Sequence, residues 1–380
     1  MEVYFDNSAT TKPYSEVCAA MFDTMSNNYG NPSSLHKLGI EAERAVKTAK
    51  ERVAGAIKAE PGEILFTSGG TESDNLALLG AVGANRGRHI ITTPLEHPAI
   101  MSVLPEMRNK GYKVDFAPVD KDGRVRLDVY EKMIRPDTFL VSAMLVNNEI
   151  GTVEPVAEMA EILKKKNPRA LFHTDAVQGF GKVNINVHDM PVDMISISSH
   201  KIHGPKGMGA LYVRKGTKLK PIVFGGGQQG NLRSGTENVP GIVGLGLAAK
   251  MATQDLAKKV EHMTALRKRL EHGMRQLDNI RINTPECCAP HILNVSFGGV
   301  RSEVVLHSLE MQDIYVSSGS ACSSHKKEPS YVLTEIGVPP LMIDGSIRFS
   351  LSEFSSSEQV DVAIQAVNKI VPRLRKLNMR

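Results

Sequence analysis

The sequence has few cysteines, with four among 380 residues: Cys18, Cys287, Cys288 and Cys322. No two of them form a C-x-x-C pair, and no group of cysteines and histidines has the spacing of a zinc site. A disulfide framework and a structural metal are therefore not expected. Cys322 should be a free, reduced thiol.

Long apolar runs and blocks of one charge are also absent. No stretch of 18 apolar residues occurs, and the N-terminal MEVYFDNSATTK has neither the basic start nor the apolar core of a signal peptide. Lys and Arg number 46 against 41 Asp and Glu, so the formal net charge is only +5. These absences argue against a membrane protein, an exported protein and a dedicated nucleic-acid binder, and they favour a cytoplasmic location.

What the sequence does contain is a regular alternation of short apolar segments and amphipathic stretches. This alternation is typical of an α/β fold with a mostly parallel sheet of the seven-stranded type, flanked by helices. The apolar segments are EILFTSGG, HIITTP, YKVDFAPVD, FLVSAMLVNNE, ALFHTDAVQ, DMISISSHK and GALYVRK.

The length of the chain suggests two packed units. One long helical stretch is predicted from about Pro240 to Leu277, and the segments HILNVSF, SEVVLHSLEMQ, IYVSSGSA and SIRFSLS with a closing helix predict a smaller α+β unit after it. We place the boundary within the long helix. The predicted large domain is residues 15–255, and the predicted small domain combines residues 1–14 and 256–380.

The stretch FTSGGTESDN predicts an anion site at a strand-to-helix turn. Gly69 and Gly70 end a strand and Thr71 opens a helix, where free N–H groups and the helix dipole attract negative charge. A plain turn with a threonine cap would have the same sequence. The glycine run GGGQQG at 225–230 is followed by NLRSGTENVPG rather than by a helix, so a dinucleotide site is not indicated there.

A lysine in ISISSHKIHGPKG has unusual neighbours. Lys201 follows an apolar strand, beside Ser198 and His200, and glycines come after it. Most lysines are solvated surface residues, but hydroxyl and imidazole donors suit a phosphate, and a desolvated lysine suits covalent attachment of a carbonyl cofactor. A metal pair of His200 and His203 is not favoured, because no carboxylate or thiol stands at ligand spacing.

A carboxylate in LFHTDAVQ also lies where a strand ends. Asp175 would be buried at this point and would need a cationic partner, and Gln178 follows three residues later. A protonated pyridine nitrogen is such a partner, and a carboxylate beside it makes a pyridoxal ring an electron sink. An aspartate that caps the next turn is the alternative.

Cys322 lies in SSGSACSSHKKEPS, a run of small polar residues typical of a loop. From this stretch alone, a loop cysteine without a function is an equally good interpretation. The neighbouring His325, Lys326 and Lys327 receive no role, and we interpret the adjacent Cys287 and Cys288 as structural.

Taken in order, the motifs resemble those of the cysteine desulfurases, which are class V, fold type I pyridoxal-phosphate enzymes. The resemblance covers nearly the whole chain and favours the NifS- and IscS-like branch with an extended active-site cysteine loop. The motifs are YFDNSATT, SGGTESDNLAL, EHPAI, VNNEIG, HTDAVQ, SSHKIHGPKG, RSGTENVP, SSGSACSS and SIRFSLS.

The resemblance implies how pyridoxal 5'-phosphate would be held. Lys201 would bind it covalently, Asp175 and Gln178 would contact its pyridine nitrogen and ring hydroxyl, and His97 would stack on the ring. Its phosphate would be bound by Gly70, Thr71, Ser198, His200 and, from a second subunit, Thr236.

The resemblance also implies the reaction. Asn148, which would contact the cofactor as well, and Arg348 would hold the carboxylate of L-cysteine. Lys201 would remove its α-proton, and Cys322 would take its sulfur as a persulfide, leaving L-alanine. His97 or the bound substrate would accept the proton of Cys322. The sulfur would pass to an iron–sulfur scaffold or a thiolation enzyme, and the protein would be a homodimer.

Three alternatives remain open at this point. A class V aminotransferase would share Lys201 and Asp175 but would have no use for Cys322. A selenocysteine lyase would use the same residues on a selenium substrate. A non-catalytic protein of the same fold would be expected to lack some of the site residues, and none is missing from the sequence.

Overall fold

The computed structural model describes residues 1–318 and 329–378, so Cys322 and residues 325–327 lie outside the described residues. The strands are β1 (Val3–Tyr4), β2 (Ile64–Thr67), β3 (His89–Thr92), β4 (Lys113–Phe116), β5 (Thr138–Ser142), β6 (Leu171–Asp175), β7 (Met194–Ser198), β8 (Gly209–Val213), β9 (Ile280–Ile282), β10 (Ile292–Phe297), β11 (Ile314–Tyr315) and β12 (Ser346–Ser350).

Helices occupy about half of the remaining described chain. The α-helices are α1 (Ser15–Asn27), α2 (Lys37–Ile57), α3 (Gly70–Ala84), α4 (Pro98–Met101), α5 (Leu104–Asn109), α6 (Leu127–Met133), α7 (Val156–Lys166), α8 (Val239–Thr253), α9 (Leu256–Met274), α10 (Ser302–Glu310), α11 (Tyr331–Glu335), α12 (Pro340–Ile343) and α13 (Ser357–Asn378). Short 3₁₀ helices span Pro61–Glu63, Ser199–Lys201 and Gln229–Asn231.

The central sheet has seven strands in the order β2-β8-β7-β6-β5-β3-β4. Strand β8 runs antiparallel to both of its neighbours, and the other pairs are parallel. Each of the seven apolar segments in the sequence supplies one of these strands. The predicted α/β fold with a mostly parallel sheet is therefore confirmed.

Apolar side chains cover both faces of this sheet. Consecutive strand residues point to opposite faces, so Val141 of β5 packs among the helices α1, α2, α7 and α8, whereas Leu140 packs among α3, α4 and α5. All residues of β5, β6 and β7 are buried, as expected for parallel strands covered on both faces.

A smaller antiparallel sheet, β12-β10-β9, follows in the sequence and has an apolar cluster of its own with α9, α10 and α13. The prediction of a single helix from Pro240 to Leu277 is wrong. Helix α8 ends at Thr253 and α9 begins at Leu256, because Gln254 is extended and Asp255 adopts a left-handed conformation with φ of 53°. Aspartate tolerates this conformation better than most residues. The domain boundary near residue 255 stays a prediction.

Among the described residues, none of the helices has the length and apolar character needed to cross a bilayer.

Candidate active site

Six strands of the central sheet end at the same edge. Strands β2, β3, β4, β5, β6 and β7 all point in one direction, and ligands of open α/β sheets bind beyond such carboxyl ends. Most of the predicted site residues follow or end these strands: Gly70, Thr71, His97, Asn148, Asp175, Gln178, Ser198, His200 and Lys201.

The turn from β2 into α3 lies close to the ends of β6 and β7. The N-cap of α3 is Gly69, so the alternative of a threonine cap at this turn is wrong. A Cβ atom on Gly70 would lie 2.8 Å from Cγ2 of Val177 and 3.6 Å from Cβ of Ser198. Position 70 therefore has room for glycine alone, and the first turn of α3 is brought against the strand ends.

Thr71 and His97 line one cavity of about 480 Å³ beside this turn. Thr71 is exposed in the first turn of α3, where the backbone N–H groups have no helical partners. His97 is half-buried, and its Nδ1 accepts the backbone N–H of Ala99 at 3.2 Å, which caps α4.

Lys201 ends the 3₁₀ turn that follows β7. Its Nζ donates to the backbone carbonyls of Ser8 and Ala9, the latter at 2.8 Å. Gln178 also donates from Nε2 to the Ser8 carbonyl at 2.9 Å. The N-terminal segment around Ser8 therefore crosses the site and joins the residues that follow β6 and β7, a contact that the sequence analysis did not predict.

His200 is neutral at pH 7. Burial, together with the positive charges of Lys201 and Lys206, lowers the pKa of its imidazole to about 4. Its Nδ1 lies 3.2 Å from Oγ1 of Thr10, and its carbonyl accepts the N–H of Thr11 at 2.9 Å. A neutral imidazole can donate one N–H to an anion without carrying charge.

Asp175 is the buried carboxylate of the site, with 5% of its surface exposed. Its Oδ1 accepts the N–H of Val177 at 2.8 Å. Burial raises the pKa of Asp175, whereas the hydrogen bond from the N–H of Val177 and the positive charge of Lys201 lower it. The Val177 N–H and the Lys201 charge favour the ionised carboxylate that a protonated pyridine nitrogen requires.

A second buried carboxyl group, Asp74, lies behind Asp175. Burial and the charge of Asp175 raise the pKa of Asp74 well above its usual range, which favours the protonated form of Asp74. His173 lies in the same layer, with Nδ1 2.9 Å from Oγ of Ser142 and Nε2 2.9 Å from Oγ of Ser196. Burial lowers the pKa of His173 to about 3, so this layer carries no cation.

Arg348 of β12 lies beside Asn148 and already binds a carboxylate. Its Nη1 donates to the Asn148 carbonyl at 2.9 Å, and its Nη2 lies 3.0 Å from Oδ1 of Asp6. Its Nε is buried and has no hydrogen-bond partner among the residues that the structure describes. Asp6 belongs to the YFDNSATT motif, and this contact gives Asp6 a role that the sequence analysis missed.

Thr236 is exposed on the segment before α8. Arg233 of the same segment donates from Nε to Oε1 of Glu72 at 2.8 Å, which attaches the segment to the first turn of α3 in its own subunit. The position of Thr236 relative to a second subunit stays a prediction.

The predicted nucleophile, Cys322, lies outside the described residues, but the described residues on both sides of it are bound at the site. The N–H of Ser317 donates to the carbonyl of Arg348 at 3.1 Å, and the N–H of Arg348 donates back at 2.7 Å. On the other side, Oγ of Ser330 donates to Oε2 of Glu149 at 2.6 Å.

The other three cysteines are free thiols. Cys18 is exposed on α1, Cys287 is exposed, and Cys288 is half-buried and forms a β-bridge with Thr152. Burial raises the pKa of Cys288 above its ordinary value, which makes its thiolate less available.

His203 does not form a pair with His200. Its Nδ1 lies 2.8 Å from the Lys12 carbonyl, and its ring packs against Tyr14 and Phe354 with centroid distances of 4.9 and 5.0 Å. In the part of the chain that the structure describes, no three His, Cys, Asp or Glu side chains are grouped closely enough to hold a metal ion.

The fold and this site are those of a pyridoxal-phosphate enzyme of class V. The family model described as aminotransferase class-V matches residues 3–362, and the chain belongs to that family. This membership confirms the predicted cofactor, pyridoxal 5'-phosphate.

Within that family the chain is similar to proteins named cysteine desulfurase. It is 45% identical to cysteine desulfurase IscS of Methanosarcina thermophila, covering 99% of this chain and 93% of the relative. It is 43% identical to a cysteine desulfurase of Trichormus azollae, covering 99% and 94%. A solved structure of a NifS-like protein, 41% identical, superposes with a TM-score of 0.93 over 98% of this chain and 100% of that chain. The NifS-like protein of Rickettsia africae, 30% identical, gives 0.88 over 98% and 100%.

The residues at the sheet edge fit this cofactor. Asp175 offers a buried carboxylate for a pyridine nitrogen, and Lys201 offers an amine at the end of the neighbouring strand. The glycine turn at Gly70, which a Cβ atom would fill, leaves the N–H groups of α3 open to a phosphate.

We expect Gly70→Ala to weaken cofactor binding at least about tenfold, because the new Cβ would overlap Cγ2 of Val177 and push the start of α3 away. Absorbance titration with pyridoxal phosphate measures the change. The double variant Gly70→Ala, Val177→Ala removes the overlapping methyl group and should recover most of the affinity. Equal cofactor affinity of Gly70→Ala and the wild type would contradict the close packing of Gly70 against Val177.

Proposed function

We propose that this protein is a pyridoxal-phosphate-dependent cysteine desulfurase that converts L-cysteine to L-alanine and holds the sulfur as a persulfide on Cys322. One observation carries the proposal. Lys201 and Asp175 lie at the carboxyl edge of the central sheet, and Arg348 of β12 is bonded to Asn148 in a loop at that edge. The described flanks of Cys322 are bonded to Arg348 and to Glu149, the residue after Asn148.

The residues that follow the strand ends have separate roles in the cofactor site. When bound, the cofactor supplies an electron sink for the electron pair left on the substrate Cα. Lys201 holds the cofactor and then removes the α-proton of the substrate, for which its Nζ must leave the Ser8 and Ala9 carbonyls. Asp175 would pair with the pyridine nitrogen, Gln178 would contact the ring hydroxyl, and His97 would stack on the ring.

Anion binding in this proposal has two parts. The phosphate would be held by the start of α3 at Gly70 and Thr71, by the hydroxyl of Ser198 and by the neutral imidazole of His200. The substrate carboxylate is bound by Asn148, which also contacts the cofactor, and by Arg348, whose guanidinium is only 3% exposed.

The atoms and electrons of the sulfur-transfer step balance without an external oxidant. The thiolate of Cys322 attacks the substrate sulfur, an S–S bond forms, the Cβ–S bond breaks, and the carbon side is protonated to give alanine. His97 and the bound substrate are the two candidate acceptors of the proton that Cys322 loses. L-Cysteine and one protein thiol thus give L-alanine and one protein persulfide.

The reaction itself tests the proposal. Protein supplied with pyridoxal phosphate, L-cysteine and a thiol reductant should release alanine and sulfide in equal amounts. Release of pyruvate instead of alanine, or transfer of the amino group to a 2-oxo acid without sulfide, would contradict it and favour the aminotransferase alternative.

The proposal extends to partners and location. The persulfide would pass to an acceptor protein in the cytoplasm, an iron–sulfur scaffold or a thiolation enzyme. The protein would be a homodimer, because large apolar side chains are exposed on α1 and the loop after it, with Phe22 68% and Tyr29 71% exposed. Thr236 would reach the phosphate of the partner subunit.

Mixed dimers test the shared site. Neither Lys201→Ala nor Thr236→Ala homodimers should have an intact site, but a mixed dimer has one site with both residues. After subunit exchange, we expect activity up to roughly a quarter of the wild type, since half of the dimers are mixed and each has one intact site. Activity that stays at the average of the two parent proteins, with exchange verified by differential tagging, would show that each subunit uses its own Thr236.

A further inference from the structure

Helix α11 begins directly after the segment that contains Cys322 and is docked on two loops of the site. Val332 and Leu333 of α11 are fully buried in an apolar cluster with Leu95, Met144 and Ile150. Leu95 lies in the loop after β3, and the other two lie in the loop after β5. The helix is therefore fixed against the two loops that carry His97 and Asn148.

Ser330 joins this helix to the loop after β5. Its Oγ accepts the N–H of Leu333 at 3.1 Å, which caps α11, and donates to Oε2 of Glu149 at 2.6 Å. Ser330 is 7% exposed and Glu149 is 5% exposed, so this bond is shielded from water. Glu149 follows Asn148, whose carbonyl is bound by Arg348.

Tyr331 makes the matching contact with the loop after β3. Its hydroxyl donates to the carbonyl of Glu96, the residue that precedes His97. Two consecutive residues at the start of α11 thus reach the two loops that would cover the cofactor ring and bind the substrate carboxylate.

The charge of Glu149 depends on its buried surroundings. Burial raises the pKa of Glu149 to about 7, even though the hydrogen bond from Ser330 and the positive charge of Arg348 lower it. The Ser330 hydroxyl donates to Glu149 at 2.6 Å, and this bond is stronger than one between neutral groups when Glu149 is ionised.

We propose that Ser330 and Glu149 are positioning residues for sulfur transfer. Their hydrogen bond fixes the chain that follows Cys322 to the loop after β5, which carries the proposed substrate-binding residue Asn148. The inference rests on the proposed function. Cys322 precedes Ser330 by eight residues, so its reach from this anchor is at most roughly 28 Å. The upstream anchor at Ser317 consists of backbone bonds, whereas the downstream anchor depends on side chains that can be removed singly.

Ser330→Ala tests the inference in the full-length protein loaded with cofactor. We expect persulfide formation on Cys322 in a single turnover to slow about tenfold, as for the loss of one hydrogen bond to a charged group. The cofactor absorbance and the dissociation constant of L-cysteine, both measured by titration, should stay at wild-type values. Thr334→Val is the matched control, since it removes a hydroxyl from the same helix that bonds only to the Ser330 carbonyl among the described residues.

Glu149→Gln tests the hydrogen bond between Ser330 and Glu149 independently of the cap that Ser330 provides for α11. This substitution leaves the cap of α11 intact but replaces the carboxylate acceptor by an amide. We expect it to slow persulfide formation less than Ser330→Ala does, and we expect the double variant to be no slower than Ser330→Ala alone. A normal single-turnover rate for Ser330→Ala, or equal losses of persulfide formation and cofactor binding, would overturn the positioning role. If the wild-type protein forms no persulfide on Cys322, the proposed function fails instead.

Discussion

Replacing Cys322 by serine should give a protein that binds cofactor and L-cysteine normally but forms almost no alanine or sulfide. The cofactor residues Lys201 and Asp175 come from strand ends that the substitution does not change. A serine hydroxyl has a far higher pKa than a thiol and attacks sulfur poorly, so its similar size should not restore activity. We expect turnover to fall by about a thousandfold or more, as for the loss of a nucleophile in other enzymes.

Alanine release, sulfide release and the spectrum of the cofactor with L-cysteine measure this result. Cys287→Ser is the matched control, because it removes an exposed thiol from a different part of the chain. Alanine formation by Cys322→Ser at close to the wild-type rate would mean that another group takes the sulfur, and it would reject the assigned nucleophile.

Lys201→Ala should lose both the visible absorbance of the bound cofactor and the activity. Its Nζ is the amine that follows β7, and the proposed function gives it both the attachment of the cofactor and the removal of the α-proton. Loss of both tasks should lower the rate by about a thousandfold or more.

Dialysis followed by an absorbance scan checks this prediction. Lys206→Ala is the control, since Lys206 is an exposed lysine in the same SSHKIHGPKG motif and should keep the cofactor. A Lys201→Ala protein that remains yellow after dialysis would assign the attachment to another amine while leaving the fold unchanged.

The sequence predicted the central sheet well because each strand has a local signal. The seven apolar segments are short, are rich in residues that favour strands, and end in polar or glycine-containing turns. The break between α8 and α9 was not predicted, since neither glycine nor proline marks it. The helix ends there because Gln254 is extended and Asp255 is left-handed.

The cofactor residues could be predicted for a similar reason. Asp175 and Lys201 stand directly where apolar strands end, and short motifs around them match a family pattern. The contacts that were missed join distant parts of the chain. Asp6 and Arg348 are 342 residues apart, and Glu149 and Ser330 are 181 apart, so no local pattern contains either pair.

The layer behind Asp175 was also missed, for a different reason. His173 precedes Asp175 by two residues and looks like any polar residue in a strand, whereas Asp74 looks like an ordinary residue of the first helical turns. Only the packing of α3 against β6 and β7 buries them together and gives Asp74 its raised pKa.

The location of the transferred sulfur is the most direct test of the central claim. Wild-type protein would be treated with one equivalent of L-cysteine, alkylated, digested and mapped by mass. The proposed function predicts one additional sulfur atom on the peptide that contains Cys322. Additional sulfur on Cys18, Cys287 or Cys288, with Cys322 unmodified, would contradict it and leave the aminotransferase alternative standing.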